Sequence, residues 1–369
     1  DMLVLDDGWF GKRDSDFSGL GDWQVNEKKL GCTLSSLIQR LHDLGMDFGI
    51  WVEPEMVSPD SDLYRAHPDW ALSVPGRTPV QGRSQLVLDL SRADVVEYLH
   101  NVLSDLLHSH DIRYVKWDMN RSLTDVFSRE LPPERQGETA HRYMLGVYDL
   151  LERLTAEFPE VLFEGCSGGG GRFDAGMLHY FPQIWCSDDT DAIERLKIQY
   201  GTSFGYPIRT MGSHVSAVPN HQTGRTTSLH TRGIVAMSGS FGYELDPQKL
   251  SEVEKEEIRK QILTFRHHRD LIFYGDYYRL TNAMTDDYFT AWQFVEKDGS
   301  AALLNVVVVA PKANPYPIHV FLKGLQPEAM YRETESGSVY SGAALMYGGY
   351  TLPILLGDYP GCQFRFERI

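Results

Sequence analysis

The sequence predicts an α/β fold: a (β/α)8 barrel of the TIM type, followed by a small antiparallel β-domain. Three observations carry this expectation. Through the first 279 residues short apolar runs alternate with amphipathic helical stretches, the pattern of a parallel sheet covered by helices. Several of those runs close on acidic residues, at the strand ends where barrel active sites are built. Beyond Tyr278 helical periodicity stops and strand-like runs replace it. An open dinucleotide-binding sheet fits less well. Its first strand would lead into G-x-G-x-x-G, and here it leads into Asp6-Asp7-Gly8-Trp9.

The first apolar run, 3–5, ends in Asp6-Asp7-Gly8. Residues 33–44 then read as a helix, with Leu34, Leu37, Leu41 and Leu44 on one side. A strand over 48–52 leads into Glu53-Pro54-Glu55, and 86–90 is a third extended run. A long helix over 93–110, with Ser91 as its cap, turns Val95, Leu99, Val102, Leu103, Leu106 and Leu107 inward. The strand 113–117 ends at Asp118-Met119-Asn120, and a helix over 139–157 leads to a strand at 161–163. That strand runs into Glu164-Gly165-Cys166-Ser167 and four glycines. A helix over 173–180 follows, then a strand over 184–186 that ends in Ser187-Asp188-Asp189. A helix over 193–204, strands at 208–211 and 239–243, and a charged helix over 252–273 complete the first region. In the second, 289–295, 301–309, 318–322 and 363–367 read as strands, with Asp298-Gly299 as a hairpin turn. The expected domains are therefore a catalytic barrel over 1–279 and a β-domain over 280–369.

Composition narrows the function. Of 369 residues, 35 are Lys or Arg and 51 are Asp or Glu, a net charge of −16. That balance argues against nucleic acid and against an anionic membrane surface. No apolar run approaches the ~20 residues of a membrane span. Cys32, Cys166, Cys186 and Cys362 form no C-x-x-C pair, which speaks against a zinc ribbon or a disulfide scaffold and for a reducing, cytoplasmic setting. The chain opens at Asp1 inside an apolar run with no initiator Met, which reads as a fragment or a processed chain.

The chemistry is expected at the strand ends. Asp118 follows Lys116 by two positions, so strand alternation puts both on one face, where the ammonium would hold the carboxylate ionised. An ionised, oriented carboxylate suits attack on an anomeric carbon, and a structural ion pair is the alternative. Asp188, Asp189 and Asp191 crowd a second strand end, one of them the expected cap of the next helix. Two carboxylates from nearby strand ends can converge on one bond, at ~5–5.5 Å in retaining glycosidases. Asp6 and Asp7 suit vicinal sugar hydroxyls, with metal binding or a turn as the alternative, though no companion His or Glu stands at ligand spacing near them. Trp51 offers a platform for a pyranose face or a core side chain. The glycines after Cys166 allow close backbone approach to a ligand. Gly165-Cys166-Ser167-Gly168-Gly169 also matches the G-x-S-x-G elbow, so a serine hydrolase stands as a rival. His214 and His221 read as structural.

Five segments together resemble the bacterial α-galactosidases of glycoside hydrolase family 36. They are Leu5-Asp6-Asp7-Gly8-Trp9-Phe10, Trp51-Val52-Glu53-Pro54-Glu55-Met56, Lys116-Trp117-Asp118-Met119-Asn120-Arg121, Glu164 through Asp174, and Trp185 through Asp191. The resemblance implies a retaining double displacement on terminal α-galactosyl residues of oligosaccharides such as melibiose and raffinose. It implies Asp118 as nucleophile and Asp188 as acid/base. It places Asp6 and Asp7 on the O4 and O6 side of the sugar, Lys116 and Arg83 on further hydroxyls, and Trp51 as a wall of the pocket. Cys166 and Gly168 fall near O2, and Asn120 supports the nucleophile. It implies no cofactor and no metal, and a homotetramer for the full-length protein. Family members carry an N-terminal β-sandwich and a first barrel strand before the segment seen here. The run 86–90 is then loop structure, and the chain is expected to be unstable or inactive alone. Raffinose-synthase-type galactosyl transfer and a non-catalytic sugar-binding module are the alternatives.

Overall fold

The computed structural model describes residues 1–369, which divide into two compact units, Asp1–Ile184 and Trp185–Ile369. In the first unit five parallel strands lie side by side in sequence order. They are β1 (Met2–Leu5), β2 (Asp47–Val52), β3 (Tyr114–Trp117), β4 (Leu162–Gly165) and β5 (Gln183–Trp185), at whose end the division falls. The register is regular: Ile50 stands beside Val115, Val115 beside Phe163 and Lys116 beside Glu164. In the second unit β6 (Met211–Ser216) and β7 (Ser240–Glu244) pair in parallel. Seven strand–helix repeats of TIM-barrel type are thus present, against eight in a closed (β/α)8 barrel.

The helices between the strands follow their apolar stripes. α1 (Leu34–His42) is capped by Thr33, whose hydroxyl accepts the Ser36 N–H at 3.1 Å, and it buries Leu34, Ile38 and Leu41. α2 (Ala93–Ser109) buries Val95, Val96, Leu99, Leu103 and Leu106. Its cap position is Arg92 rather than Ser91, because the Ser91 hydroxyl is taken by Asp89 at 2.5 Å. α3 (Thr139–Glu157) buries Tyr143, Val147, Leu150, Leu151 and Leu154. Gly146 lies on that face because a Cβ there would stand 1.8 Å from the Leu90 carbonyl oxygen. The shorter α4 (Ala175–Tyr180) is the last helix of the first unit, with Asp174 as its cap. The run 86–90 is not a barrel strand: Leu86–Val87 pairs antiparallel with Met56–Val57 in a two-residue ribbon.

In the second unit α5 (Ala192–Thr202), α6 (Leu229–Ala236) and α7 (Glu252–Tyr274) accompany the strands, and Ser251 and Glu254 close a capping box on α7. The strand expected at 208–211 is displaced. Residues Ile208–Thr210 form a 3-10 turn behind Pro207, and β6 starts at Met211. The polar residues of β6 disguise it, and they are buried with partners: Ser213 donates to Gln199 and Ser216 to the Thr190 carbonyl. Beyond them stand a two-residue antiparallel ribbon, in which His319–Val320, all that is extended of the expected 318–322 run, pairs with Tyr350–Thr351, and a six-stranded antiparallel sheet. β8 (Asp276–Arg279), β9 (Phe289–Val295), β10 (Ala301–Val308), β11 (Met330–Glu333), β12 (Val339–Ser341) and β13 (Gly361–Arg368) lie in the order β8-β9-β10-β13-β11-β12. Asp298-Gly299 makes the β9–β10 turn, with Gly299 at φ +66°. No helix is long and apolar enough to cross a membrane.

Candidate active site

Asp118 directly follows β3, with its own N–H held by the Val52 carbonyl of the neighbouring strand at 2.8 Å. It is only 6% exposed, so an unpartnered charge there would be costly. Backbone and side-chain donors converge on it. The backbone N–H groups of Met119 and Gly168 reach Oδ1 at 2.8 and 3.1 Å. The Trp51 indole N–H and the Asn120 amide reach Oδ2 at 3.2 and 2.8 Å. Burial works to raise this carboxyl's pKa. The Gly168 N–H, the Asn120 amide, the Met119 N–H and the Cys166 thiol outweigh it, and Asp118 sits below the usual carboxylate range.

Lys116 shares the strand but not that task. Its ammonium makes an ion pair to Asp6 Oδ2 at 2.9 Å. Burial opposes its charge, and Asp6 and its neighbours override burial, so the lysine stays protonated. Asp118 is therefore held ionised chiefly by hydrogen-bond donors, whereas the strand spacing points to Lys116 for that work. Asp7 has a different cation. The Arg13 guanidinium, with a side chain 4% exposed, grips it in a fork: Nε to Oδ1 at 3.0 Å and Nη2 to Oδ2 at 2.8 Å. Asp6 and Asp7 stay exposed at the end of β1.

Trp51 is 3% exposed, packed among Phe10 and Trp23, while Trp9 donates its indole N–H to the Trp51 carbonyl at 2.8 Å. This aromatic cluster fixes the ring whose N–H reaches Asp118. Cys166 is buried, and its N–H donates to the Trp117 carbonyl at 2.9 Å. Ser167, Gly168, Gly169 and Gly170 follow with positive φ, which turns the Gly168 N–H toward Asp118. Arg172 secures that turn: Nε donates to the Ser167 hydroxyl at 2.8 Å and the fork grips fully buried Glu55. A serine whose oxygen faces an arginine has no base there, which removes the basis of the nucleophile-elbow reading. Arg83 is exposed on a loop, at φ +51° beside Ser84 at +60°, and is not drawn into these contacts.

Asp188 belongs to the second unit, just past β5. It is exposed, accepts the Trp185 indole N–H at 3.1 Å, and its carbonyl takes the Gln222 amide. The His214 ring packs on Trp185 at 4.7 Å between centroids. Buried Arg195 shapes this segment, donating to the carbonyls of Ser187 and Asp189 at 2.7 Å and to the Cys186 sulfur. The expected cap among the three aspartates is Asp191, which accepts the N–H groups of Ile193 and Glu194 and pairs with Arg225. No group of three or more His, Cys, Asp or Glu side chains is arranged to hold a metal ion.

Glu53 escaped the sequence reading as a site residue. It is 1% exposed, and its Oε1 accepts the Asn120 N–H and the Gln85 amide. Burial first, then the Asp118 charge, push its pKa up to about 7 against the pull of Asn120 and Gln85. A signal was present: strand alternation carries Glu53 on the same face as Trp51.

Comparison with known proteins follows the same lines. The Melibiase family model matches residues 1–275, and the glycosyl hydrolase family 36 C-terminal domain matches 289–366. The bifunctional alpha-galactosidase/sucrose kinase AgaSK of Mediterraneibacter gnavus is 55% identical over all of this chain and 38% of its own length. Alpha-galactosidase AgaA of Geobacillus stearothermophilus is 53% identical over all of this chain and 50% of its own. A crystal structure of an AgaA variant in complex with raffinose superposes with a TM-score of 0.98 at 52% identity, covering all of this chain and 51% of that one. A further AgaA variant was solved in complex with stachyose, also at a TM-score of 0.98 and over 100% of this chain and 51% of that one. The chain spans about half the length, or less, of these relatives.

Proposed function

The chain belongs to the Melibiase family of glycoside hydrolases, and from that membership we propose that it forms the catalytic part of a retaining α-galactosidase. One observation carries the reading. Asp118, nearly buried, is kept ionised by donors that fix both of its oxygens. Such a carboxylate can attack an anomeric carbon and can leave again as a stabilised anion.

In the first step an Asp118 oxygen bonds to C1 of the galactosyl group and the glycosidic C–O bond breaks. Asp188 gives its proton to the departing oxygen. In the second step Asp188 takes a proton from water, the water oxygen bonds to C1, and Asp118 departs. Two inversions restore the starting configuration. Asp6 and Asp7, each aimed by its own cation, accept hydrogen bonds from neighbouring hydroxyls of the sugar. Lys116 and Arg83 donate to further hydroxyls, Trp51 and Asn120 orient the nucleophile, and Cys166 and Gly168 border O2.

Melibiose, raffinose and stachyose are the expected substrates, and raffinose and stachyose complexes of relatives support the choice. The barrel is read as 1–279 and the β-domain as 280–369, with β8 (Asp276–Arg279) already paired in the antiparallel sheet. Four cysteines, all free, suit a cytoplasmic setting. A homotetramer is the proposed assembly of the intact protein.

The test uses the intact gene product and p-nitrophenyl α-galactoside. Asp118→Ala is expected to lower turnover by at least ~10³-fold, while Ser167→Ala keeps it within ~10-fold. Proton NMR should show α-galactose as the first product. Retained activity in Asp118→Ala, or β-galactose first, refutes the reading.

A further inference from the structure

The turn that presents Asp118 and the loop that carries Arg83 are tied to one buried side chain. Asn120 bonds Asp118 Oδ2 through its amide and Glu53 Oε1 through its N–H. The Gln85 amide reaches the same Glu53 oxygen at 2.9 Å, and Gln85 is itself 2% exposed. Gln85 closes the loop: Gly82 and Gln85 bridge each other around Arg83 and Ser84, both in the left-handed region. Arg121, one residue past Asn120, donates from Nη1 to the carbonyls of Val80 and Gln85 at 2.7 Å each. Asp125 then takes the Val80 N–H at 2.7 Å.

We propose that Glu53 is a positioning residue for the reaction of Asp118, locking the 118–120 turn and the 80–85 loop into one geometry. The inference rests on the α-galactosidase reading and adds to it a residue with two separable effects. Through Asn120 it acts on the nucleophile. Through Gln85 it acts on the loop that brings Arg83 to the sugar. Two left-handed non-glycine residues are held only if their surroundings over-determine them, and Glu53 and Arg121 are those surroundings. A displacement of about 1 Å at a reacting group can cost ~10²-fold in rate, so a buried anchor of this kind leaves a kinetic mark.

The test measures kcat and KM of the intact protein with p-nitrophenyl α-galactoside. Glu53→Ala is expected to lower kcat ~30-fold and to raise KM ~10-fold. Asn120→Ala should reproduce the kcat loss with little change in KM, and Gln85→Ala the KM rise with little change in kcat. Glu53→Gln keeps an oxygen that can accept both donors, so it should recover most of both losses. In the Asn120→Ala background Glu53 still holds the backbone N–H of residue 120, so adding Glu53→Ala should lower kcat by less than it does in the parent, the side-chain branch of its route to Asp118 being already cut. Should Glu53→Ala not fold, the Glu53→Gln, Asn120→Ala and Gln85→Ala set carries the same test. The proposal is overturned if folded Glu53→Ala matches the parent in kcat and KM, if Glu53→Gln is as impaired as Glu53→Ala, or if the Asn120 and Gln85 variants show no split. Failure of the underlying reading shows up elsewhere, as retained activity in Asp118→Ala.

Discussion

The N–H of Gly168 donates to Asp118 Oδ1 across 3.1 Å, and it can do so only because Gly168 sits at φ +61°. A Cβ at this position would meet nothing closer than 3.8 Å, so space is not the constraint. Backbone conformation is: a left-handed residue with a side chain costs ~1–2 kcal/mol. Gly168→Ala is therefore expected to fold, to tilt the N–H away from Asp118 and to lower kcat ~10-fold. Steady-state kinetics beside a thermal melt check it. Unchanged kcat would show that this hydrogen bond does not matter to the reaction.

Arg13 and Asp7 make the second prediction. Arg13 is nearly buried and also donates to the Ser18 carbonyl at 3.1 Å, so its fork is rigid and Asp7 inherits that rigidity. Arg13→Lys keeps the charge but loses the two-pronged grip. If Asp7 binds sugar hydroxyls, KM for the galactoside should rise ~10-fold with kcat nearly constant. A fall in kcat alone would argue against that role.

Glu53 links the site to pH. Its folded pKa of about 7 lies above the ordinary value of 4.5, so the fold favours the protonated form. The sign follows: this contribution is fully present below about pH 4.5 and is lost as pH rises through 7. The groups facing Glu53 are the Asp118 carboxylate, the Asn120 amide and N–H, and the Gln85 amide, and only Asp118 among them is charged. Glu53→Gln abolishes the titration. The stability of Glu53→Gln relative to the parent should improve between pH 5 and 8 by up to about 3 kcal/mol, from ~1.4 kcal/mol per pKa unit. Denaturant melts at both pH values measure it, and a pH-independent difference would contradict it.

How much could be read without coordinates depended on what each residue type advertises. The strands of the first unit were visible because their apolar runs stop abruptly at Asp6, Glu53, Asp118 and Glu164. β6 was misplaced by several residues, since Ser213 and Ser216 look like surface and are buried polar groups with partners. α6 was missed altogether. It is buried on nearly every side, so it has no amphipathic period to detect. In the site, Asp118 and its motif were legible as a carboxylate at a strand end. The cations were not. Arg13 lies in a loop with no pattern, and spacing on one strand points Lys116 at Asp118 when it pairs with Asp6, just past a strand more than a hundred residues away. Period-two alternation tells which face a side chain takes, not which neighbour it finds there.

The aspartates after β5 separate by chemistry. Asp191 is 3% exposed, caps α5 and pairs with Arg225 at 2.5 Å. Burial acts to raise its pKa, but Thr223, Arg225 and two backbone N–H groups override it and hold the carboxyl low. Its contribution is thus present at neutral pH and is lost as pH falls through the depressed pKa. Asp191→Ala takes one of two carboxylates from half-exposed Arg225, which keeps Glu194, and leaves two helix N–H groups uncapped, at a cost of ~1–2 kcal/mol. Asp191→Asn keeps the cap and should lose less. Asp188 is exposed and carries none of this structural duty. Asp188→Asn is expected to leave the melting temperature within ~2 °C while lowering turnover of melibiose at least ~10²-fold. Loss of activity with Asp191→Asn in a fully folded protein, and its retention with Asp188→Asn, would exchange the two roles.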